Sequence, residues 1–280
     1  MKHLPPNTAT KSLKWFGWTD RGKVRPLNED TFLGLQFDAK EVHRLGKIGE
    51  ASTASTDFAF AVSDGMGGAM AGEFASQIVT DKITTLLPCS FKQSAAGLDI
   101  GAEEVMEELF DRIHQALMYV GGCYEECLGM GATLSLCWFR PGWMHFGHIG
   151  DSRIYYLPAR EGRIKQLSHD DTHVGWLFRT GKINEREARS HPRRKVLQRA
   201  LGADNQFVAP QVGAVACEPG DMFLLCTDGL VEGLYDEHLV ELLRAQHSSA
   251  PDVNLARRLV EESVQKEGRD NTTAVVIQAL

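Results

Sequence analysis

The order of apolar patterns along the chain predicts an α+β layered domain, with strands gathered into sheets and helices covering them. Two observations carry that reading. Short β-branched and aromatic runs follow one another without intervening helices from residue 132 to residue 167, broken at Pro141-Gly142 and at Gly162 where turns are expected. Helical periodicity instead comes in pairs, 69–87 with 103–120 and 236–245 with 252–267. A repeating βαβ fold would alternate the two patterns, and this chain does not.

Taken in order, residues 1–12 carry Pro5, Pro6 and Asn7 and few apolar side chains, so they read as a frayed lead-in to a domain starting near Leu13. Residues 31–37 and 58–63 read as strands. The segment 38–57 between them, rich in Ala, Ser, Thr, Gly and charge, reads as an irregular connection. In 69–87 Phe74, Ile78, Ile83 and Leu87 recur at near-helical spacing, and in 103–120 Val105, Leu109, Phe110, Ile113 and Leu117 repeat the pattern. The runs 132–139, 143–149, 153–157 and 163–167 then read as consecutive antiparallel strands, and 222–227 as a further apolar strand. Helices 236–245 and 252–267 open on acidic residues, and 272–277 closes the chain as a β-branched strand. No internal repeat or low-complexity tract interrupts the chain, so residues 13–280 are expected to form a single domain.

At 280 residues, 43% apolar and 24% charged, the chain is long enough to bury a sizeable core, which excludes disorder and coiled coil. Its net charge of -7 disfavours binding to nucleic acid and favours gathering metal cations. No stretch reaches the ~18 consecutive apolar residues of a membrane span, and the first thirty residues hold no secretory h-region, so a cytoplasmic location off the membrane is expected. The six cysteines, at 89, 123, 127, 137, 217 and 226, are expected to be reduced. Cys123 and Cys127 lack a second pair at zinc-finger spacing.

The chemistry is carried by acids at strand ends. Asp64 follows strand 58–63, Asp228 follows strand 222–227, and Asp270 precedes strand 272–277. An Asp-Gly pair alone is usually a turn, but Asp64-Gly65 and Asp228-Gly229 share this context with Asp270, Arg25 and Asn28-Glu29-Asp30. Carboxylates brought together repel unless a cation sits between them, and hard oxygen ligands suit Mg²⁺ or Mn²⁺. Gly65-Met-Gly-Gly68 is no dinucleotide fingerprint, because the third glycine would fall at Met70. His145 and His148, inside a strand, are expected to be structural, as is Arg153, which is expected to pair with a carboxylate and hold the Asp151 turn.

Arg25-Pro-Leu-Asn28-Glu29-Asp30, Val62-Ser-Asp64-Gly65-Met66-Gly67-Gly68, Gly131-Ala-Thr133, His148-Ile-Gly150-Asp151-Ser152-Arg153, Thr227-Asp228-Gly229 and Arg269-Asp270-Asn271 occur in one order. Over residues 15–280 that order resembles the metal-dependent protein phosphatases of type 2C, in their compact bacterial serine/threonine branch. The resemblance implies a four-layer αββα sandwich with two central, mainly antiparallel β-sheets flanked by helix pairs. It also implies hydrolysis of phosphoserine or phosphothreonine on proteins by direct attack of a water bridging two Mn²⁺ or Mg²⁺ ions, with a weaker third ion. Carried over by residue, Asp64 bridges both metals, with the Gly65 carbonyl on one ion and Asp228 and Asp270 on the other. Glu29 and Asp30 hold the second ion partly through water, Asp151 contributes to the third with a neighbouring acid, and Arg25 grips the phosphate. Animal members of the family carry His where this chain has Met66, and a thioether cannot protonate a leaving alkoxide. The donor is then a water on the third metal beside Asp151, or His173.

Residues 168–202 match the family's flap, in which a short helix begins at Thr172-His-Val-Gly-Trp-Leu-Phe and Gly181 interrupts it. The flap's His191-Pro-Arg-Arg-Lys195 is a basic patch on an acidic protein, and Arg193 and Arg194 are expected to dock acidic or phosphorylated protein substrates. The implied partners are phosphoproteins and an opposing Ser/Thr kinase, and a monomer is expected. The alternative is a catalytically weak phosphoprotein-binding module of the same fold. Such a relative would be expected to lack one of Asp64, Asp228 and Asp270, and all three are present.

Overall fold

The computed structural model describes residues 10–67, 70–95, 101–204, 208–245 and 254–280. Its strands are β1 (Ser12–Asp20), β2 (Asp30–Phe37), β3 (Val42–Arg44), β4 (Ile48–Ser52), β5 (Asp57–Met66), β6 (Gly131–Ala132), β7 (Leu134–Arg140), β8 (Trp143–Ile149), β9 (Arg153–Leu157), β10 (Lys165–Gln166), β11 (Leu201–Gly202), β12 (Gln211–Ala216), β13 (Met222–Cys226) and β14 (Thr272–Ala279). The α-helices are α1 (Ala71–Ala95), α2 (Ala102–Cys123), α3 (His173–Arg179), α4 (Glu185–Ser190), α5 (Asp228–Gly233), α6 (Asp236–Arg244) and α7 (Leu255–Lys266). Among the described residues, one sheet runs β10-β9-β13-β14-β1-β4. The other runs β11-β6-β5-β7-β8-β12, with β2 on β5 and β3 on β2. Neighbouring strands pair antiparallel throughout.

Three apolar layers hold the stack together, which gives the expected αββα order. Strand side chains alternate between two dry faces. On β5, Phe58, Phe60 and Val62 enter the layer between the sheets, while Ala59 and Ala61 face α1 and α2. On β13, Phe223 and Leu225 face inward, and Leu224 and Cys226 lie under α5, α6 and α7. β14 divides in the same way, Val275 and Ile277 inward, Ala274 and Val276 outward. Burial on both faces is why these strands read as continuous apolar runs.

Several elements differ from the sequence reading. Segment 38–57 is no irregular connection: β3 forms a hairpin with β2, and β4 crosses to pair with β1 in the opposite sheet. Both are short and largely solvent-facing, so hydrophobic pattern could not mark them. β1 precedes the first strand expected, β12 was not expected at all, and α5 begins at Asp228 itself. In α1 the core face is Ala75, Val79, Ile83 and Leu87, whereas Phe74 is 47% exposed. The lead-in expected over 1–12 lies outside the described residues up to residue 9. Beyond that point it is not frayed, since Thr10 is buried and donates a hydrogen bond to the Cys217 carbonyl. All six cysteines are free thiols. Among the described residues no helix is long and apolar enough to cross a membrane.

Phe223 is wholly buried between the sheets, 5.2 Å from Phe139 and 5.1 Å from Tyr156, ring centre to ring centre. Phe223→Ala is expected to lower unfolding free energy by ~3–5 kcal/mol in denaturant titration. Phe74→Ala on the solvent side of α1 is expected to change it by less than ~0.5 kcal/mol.

Candidate metal centre

The two sheets end together at one edge of the sandwich, and that edge is acidic. Asp64 on β5 stands opposite Asp30 on β2 in the strand register. Because Cys226 of β13 pairs with Ala274 of β14, the exit from one strand and the entry to the other lie side by side. This brings Asp228, the first residue of α5, close to Asp270. Asp30 joins the two halves: its Oδ2 accepts hydrogen bonds from Thr227 Oγ1 at 2.7 Å, just past the end of β13, and from Thr273 Oγ1 at 2.8 Å on β14, both belonging to the opposite half. Behind Thr273 the chain of hydroxyls continues to Thr19 and to the Asn28 amide.

Backbone contacts fix the loop that carries Arg25 and Glu29. Asn271 accepts from the Glu29 N–H at 2.8 Å and donates to the Arg21 and Leu27 carbonyls, each at 2.9 Å. The Gly65 N–H donates to the Glu29 carbonyl. A side chain at Gly65 would land on the Gly72 carbonyl at the head of α1, so only glycine allows this approach. The Asp151 turn depends on Gly150 at φ +109°, where a Cβ would also strike Thr133. His148 is buried with Nε2 on the Gly150 carbonyl, so the imidazole donates there and accepts from Ser135 at Nδ1. Burial lowers its pKa, which agrees with a structural role. Arg153 grips both oxygens of Asp170, at 2.9 and 2.7 Å, and ties the start of the flap to this turn as expected.

Electrostatically the edge is under strain from its own charges. Burial, then the neighbouring carboxylates of Asp30, Asp228, Asp151 and Asp270, push Asp64 well above the usual carboxylate range. Burial also raises Asp30, to about 7, against the opposing hydrogen bonds of Thr227 and Thr273. Asp151 and Asp228 are raised by burial too, as is Glu29. Asp270 alone in this group is lowered: burial acts upward but is outweighed by hydrogen bonds and charge from Lys195 and Arg25. Asp30 Oδ1 and Asp228 Oδ1 are buried with no hydrogen-bond partner, and hard anionic oxygens of this kind suit a divalent cation.

Of the residues expected at the site, Glu29, Asp30, Asp64, Gly65, Asp151, Asp228 and Asp270 converge here. Arg25 joins them through Asp270, at 2.7 and 3.0 Å. Among the described residues no three His, Cys, Asp or Glu side chains are close enough together to hold a metal ion as they stand. An ammonium stands among them instead: Lys195 lies 3.1 Å from Asp228, 2.5 Å from Asp270 and 2.8 Å from Glu232. The basic patch is therefore not a single outward surface, because Arg194 also turns inward, 3.1 Å from Glu232, and Arg193 remains exposed. His173 is exposed with its ring stacked on Trp176, and it does not line the cavity of about 580 Å³ that opens between the flap, Asp151 and Asp228. Glu232 and the roles of Asn271 and Thr273 were missed by sequence reasoning. Only the Arg269-Asp270-Asn271 and Thr227-Asp228-Gly229 motifs pointed toward them.

Comparison with known proteins gives a consistent picture. Residues 47–262 match the family model described as protein phosphatase 2C. The serine/threonine protein phosphatase PstP of Mycobacterium tuberculosis is 33% identical over 270 residues, 96% of this chain and 45% of PstP, so the chain spans about half the length of that relative. The serine/threonine phosphatase stp of Listeria innocua is 29% identical over 90% of this chain and 97% of its own. A crystal structure of the PstP catalytic domain in complex with two manganese ions superposes with a TM-score of 0.73 at 29% identity, covering 96% of this chain and 99% of that one.

The raised carboxylates set the sign of a pH effect. A folded state that keeps protons the unfolded chain has released loses stability as pH rises, here from the ordinary carboxylate value near ~4 up to about 7 for Asp30. With chelator present, the thermal midpoint of the parent is expected to fall relative to that of Asp30→Asn as pH is raised through this window, and to level above it. Parallel curves for the two proteins would contradict the assignment.

Proposed function

The chain belongs to the protein phosphatase 2C family, and from that premise we propose that it hydrolyses phosphoserine and phosphothreonine on proteins with Mn²⁺ or Mg²⁺. We place it in the cytoplasm, as a monomer opposing a Ser/Thr kinase. The observation that carries the reading is the meeting of Asp30, Asp64, Asp228 and Asp270 from both sheets, with two buried carboxylate oxygens left without partners. Hard oxygen donors of this kind fit a divalent cation and little else.

In this reading Asp64 would serve both ions, the Gly65 carbonyl one of them and Asp228 and Asp270 the other, and Glu29 and Asp30 would hold the second ion partly through water. Asp151, beside Asp228 and Asp170, contributes to a weaker third. When bound, such ions supply positive charge against the phosphoryl oxygens and acidify water. The chain's own groups do the rest. The hydroxyls of Thr227 and Thr273 hold the Asp30 carboxylate in one orientation and leave Oδ1 free for a ligand. Arg25, at the rim with 44% of its side chain exposed, presents a planar fork to the phosphate. Met66 has no proton to give and the exposed His173 lies with its ring on Trp176 outside the cavity, so in this reading water in the cavity beside Asp151 would supply the leaving group's proton. Arg193 is the free arm of the flap for acidic or phosphorylated substrate. Arg194 supports it from its pairing with Glu232. A binding-only member of the fold could dispense with Asp64, Asp228 or Asp270, and this chain keeps all three.

Hydrolysis of a phosphothreonine peptide is expected with Mn²⁺ or Mg²⁺ and not with chelator. Asp64→Asn and Asp228→Asn are each expected to lower kcat by about 10³-fold or more, with unchanged circular dichroism. Metal-dependent turnover surviving in either would contradict the assignment. Arg193→Glu is expected to raise KM for a phosphoprotein roughly tenfold and to leave KM for a small aryl phosphate unchanged. Equal effects on both substrates would remove the docking role.

A further inference from the structure

The flap delivers one charged group into the acidic edge, and its partners are the residues that the proposed function assigns to metal. The Lys195 ammonium contacts Asp228 Oδ2 at 3.1 Å, Asp270 Oδ2 at 2.5 Å and Glu232 Oε1 at 2.8 Å. Its three N–H donors are matched one to one by three carboxylates from α5 and the β14 entry.

This placement is built by several contacts. Arg189, on the same flap, donates to the Val231 and Leu234 carbonyls of α5 and its C-terminal end. It also stacks over the Tyr235 ring. Arg194 pairs with Glu232. The flap is thereby clamped along α5, and position 195 falls at the helix start beside Asp228. Glu232, buried to 14% side-chain exposure, is not among the proposed metal ligands. It can therefore keep Lys195 when the two aspartates are engaged elsewhere.

Two cations on the same pair of aspartates repel one another. Lys195 holds Asp228 Oδ2 and Asp270 Oδ2 and leaves Asp228 Oδ1 without a partner, so a divalent ion taken up by the two aspartates would meet the like charge of the ammonium at close range. We propose that Lys195 is a tethered competitor of the divalent ion. It neutralises Asp228 and Asp270 in the metal-free protein, releases them to the incoming ion while staying with Glu232, and so sets the metal affinity weaker than the carboxylates alone would give. Occupancy of the centre would then follow the ambient divalent concentration, and the flap would move with it. The inference rests on the metal-dependent reading of the same site. Arg25 also holds Asp270, at 2.7 and 3.0 Å, so removing the lysine would leave one positive side chain on the cluster.

The test reads metal binding without turnover. Calorimetric titration with Mn²⁺ is expected to give a Kd roughly tenfold lower for Lys195→Met than for the parent. In the unmodified chain, acylation of the Lys195 amine followed by mass spectrometry is expected to run roughly threefold or more faster with Mn²⁺ than with chelator, since the ammonium is then held by one carboxylate instead of three. Equal or weaker Mn²⁺ affinity in Lys195→Met, or acylation indifferent to Mn²⁺, would overturn the competitor role. A parent that binds Mn²⁺ and cleaves phosphopeptide while Lys195→Met binds no tighter would remove this inference alone. A parent that takes up no Mn²⁺ would remove the metal-dependent reading together with it.

Discussion

Repulsion among carboxylates at one dry edge of the sandwich is the constraint around which the rest of the molecule is arranged. Two like charges 4 Å apart repel by about 4 kcal/mol at the effective dielectric of a protein surface, several times the net worth of a hydrogen bond. Asp30, Asp64, Asp151 and Asp228 are all pushed toward their protonated forms by burial and by one another. An arrangement so unfavourable on its own persists only where surrounding structure enforces it and a cation rewards it. The hydroxyls of Thr227 and Thr273, the amide of Asn271 and the clamped flap provide the enforcement. Lys195 and Arg25 provide positive charge from within the chain.

The layered fold makes such an edge possible. Two antiparallel sheets with both faces buried can end several strands at one place while their bodies stay locked in apolar layers. Side chains at those ends inherit the rigidity of the sheets. The backbone must also pass unusually close there, which is why glycine stands at Gly65 against α1 and at Gly150 before Asp151. The same closeness gives Asp30, a residue of one sheet, its hydrogen-bond donors in the opposite half. The acidic centre is thus also a joint between layers.

Much of this was legible in the sequence, for physical reasons that differ by element. Strands β5, β7, β13 and β14 are buried on both faces, and continuous apolar runs announce them. The acids at their ends stand out because charge abruptly follows such runs. Strands β3 and β4 lie at the periphery with exposed side chains, so nothing in their pattern separates them from a loop. Phe74 was misread because an apolar residue at helical spacing need not face the core: Ala75, one position on, takes that place. The basic run at 191–195 was visible as charge, but not the direction in which each side chain turns. Arg193 faces solvent, while Arg194 and Lys195 fold back onto Glu232 and the aspartates. That division depends on the docking of the flap against α5, a tertiary contact that no local pattern encodes.

The most direct test of the account is anomalous diffraction from crystals of this chain soaked with Mn²⁺. Two peaks about 3.5–4 Å apart, with Asp64 between them and Asp228 and Asp270 on one, would be the expected result. A density map with manganese elsewhere on the surface, or with no site touching Asp64, would contradict the claim that the acidic edge exists to hold divalent cations.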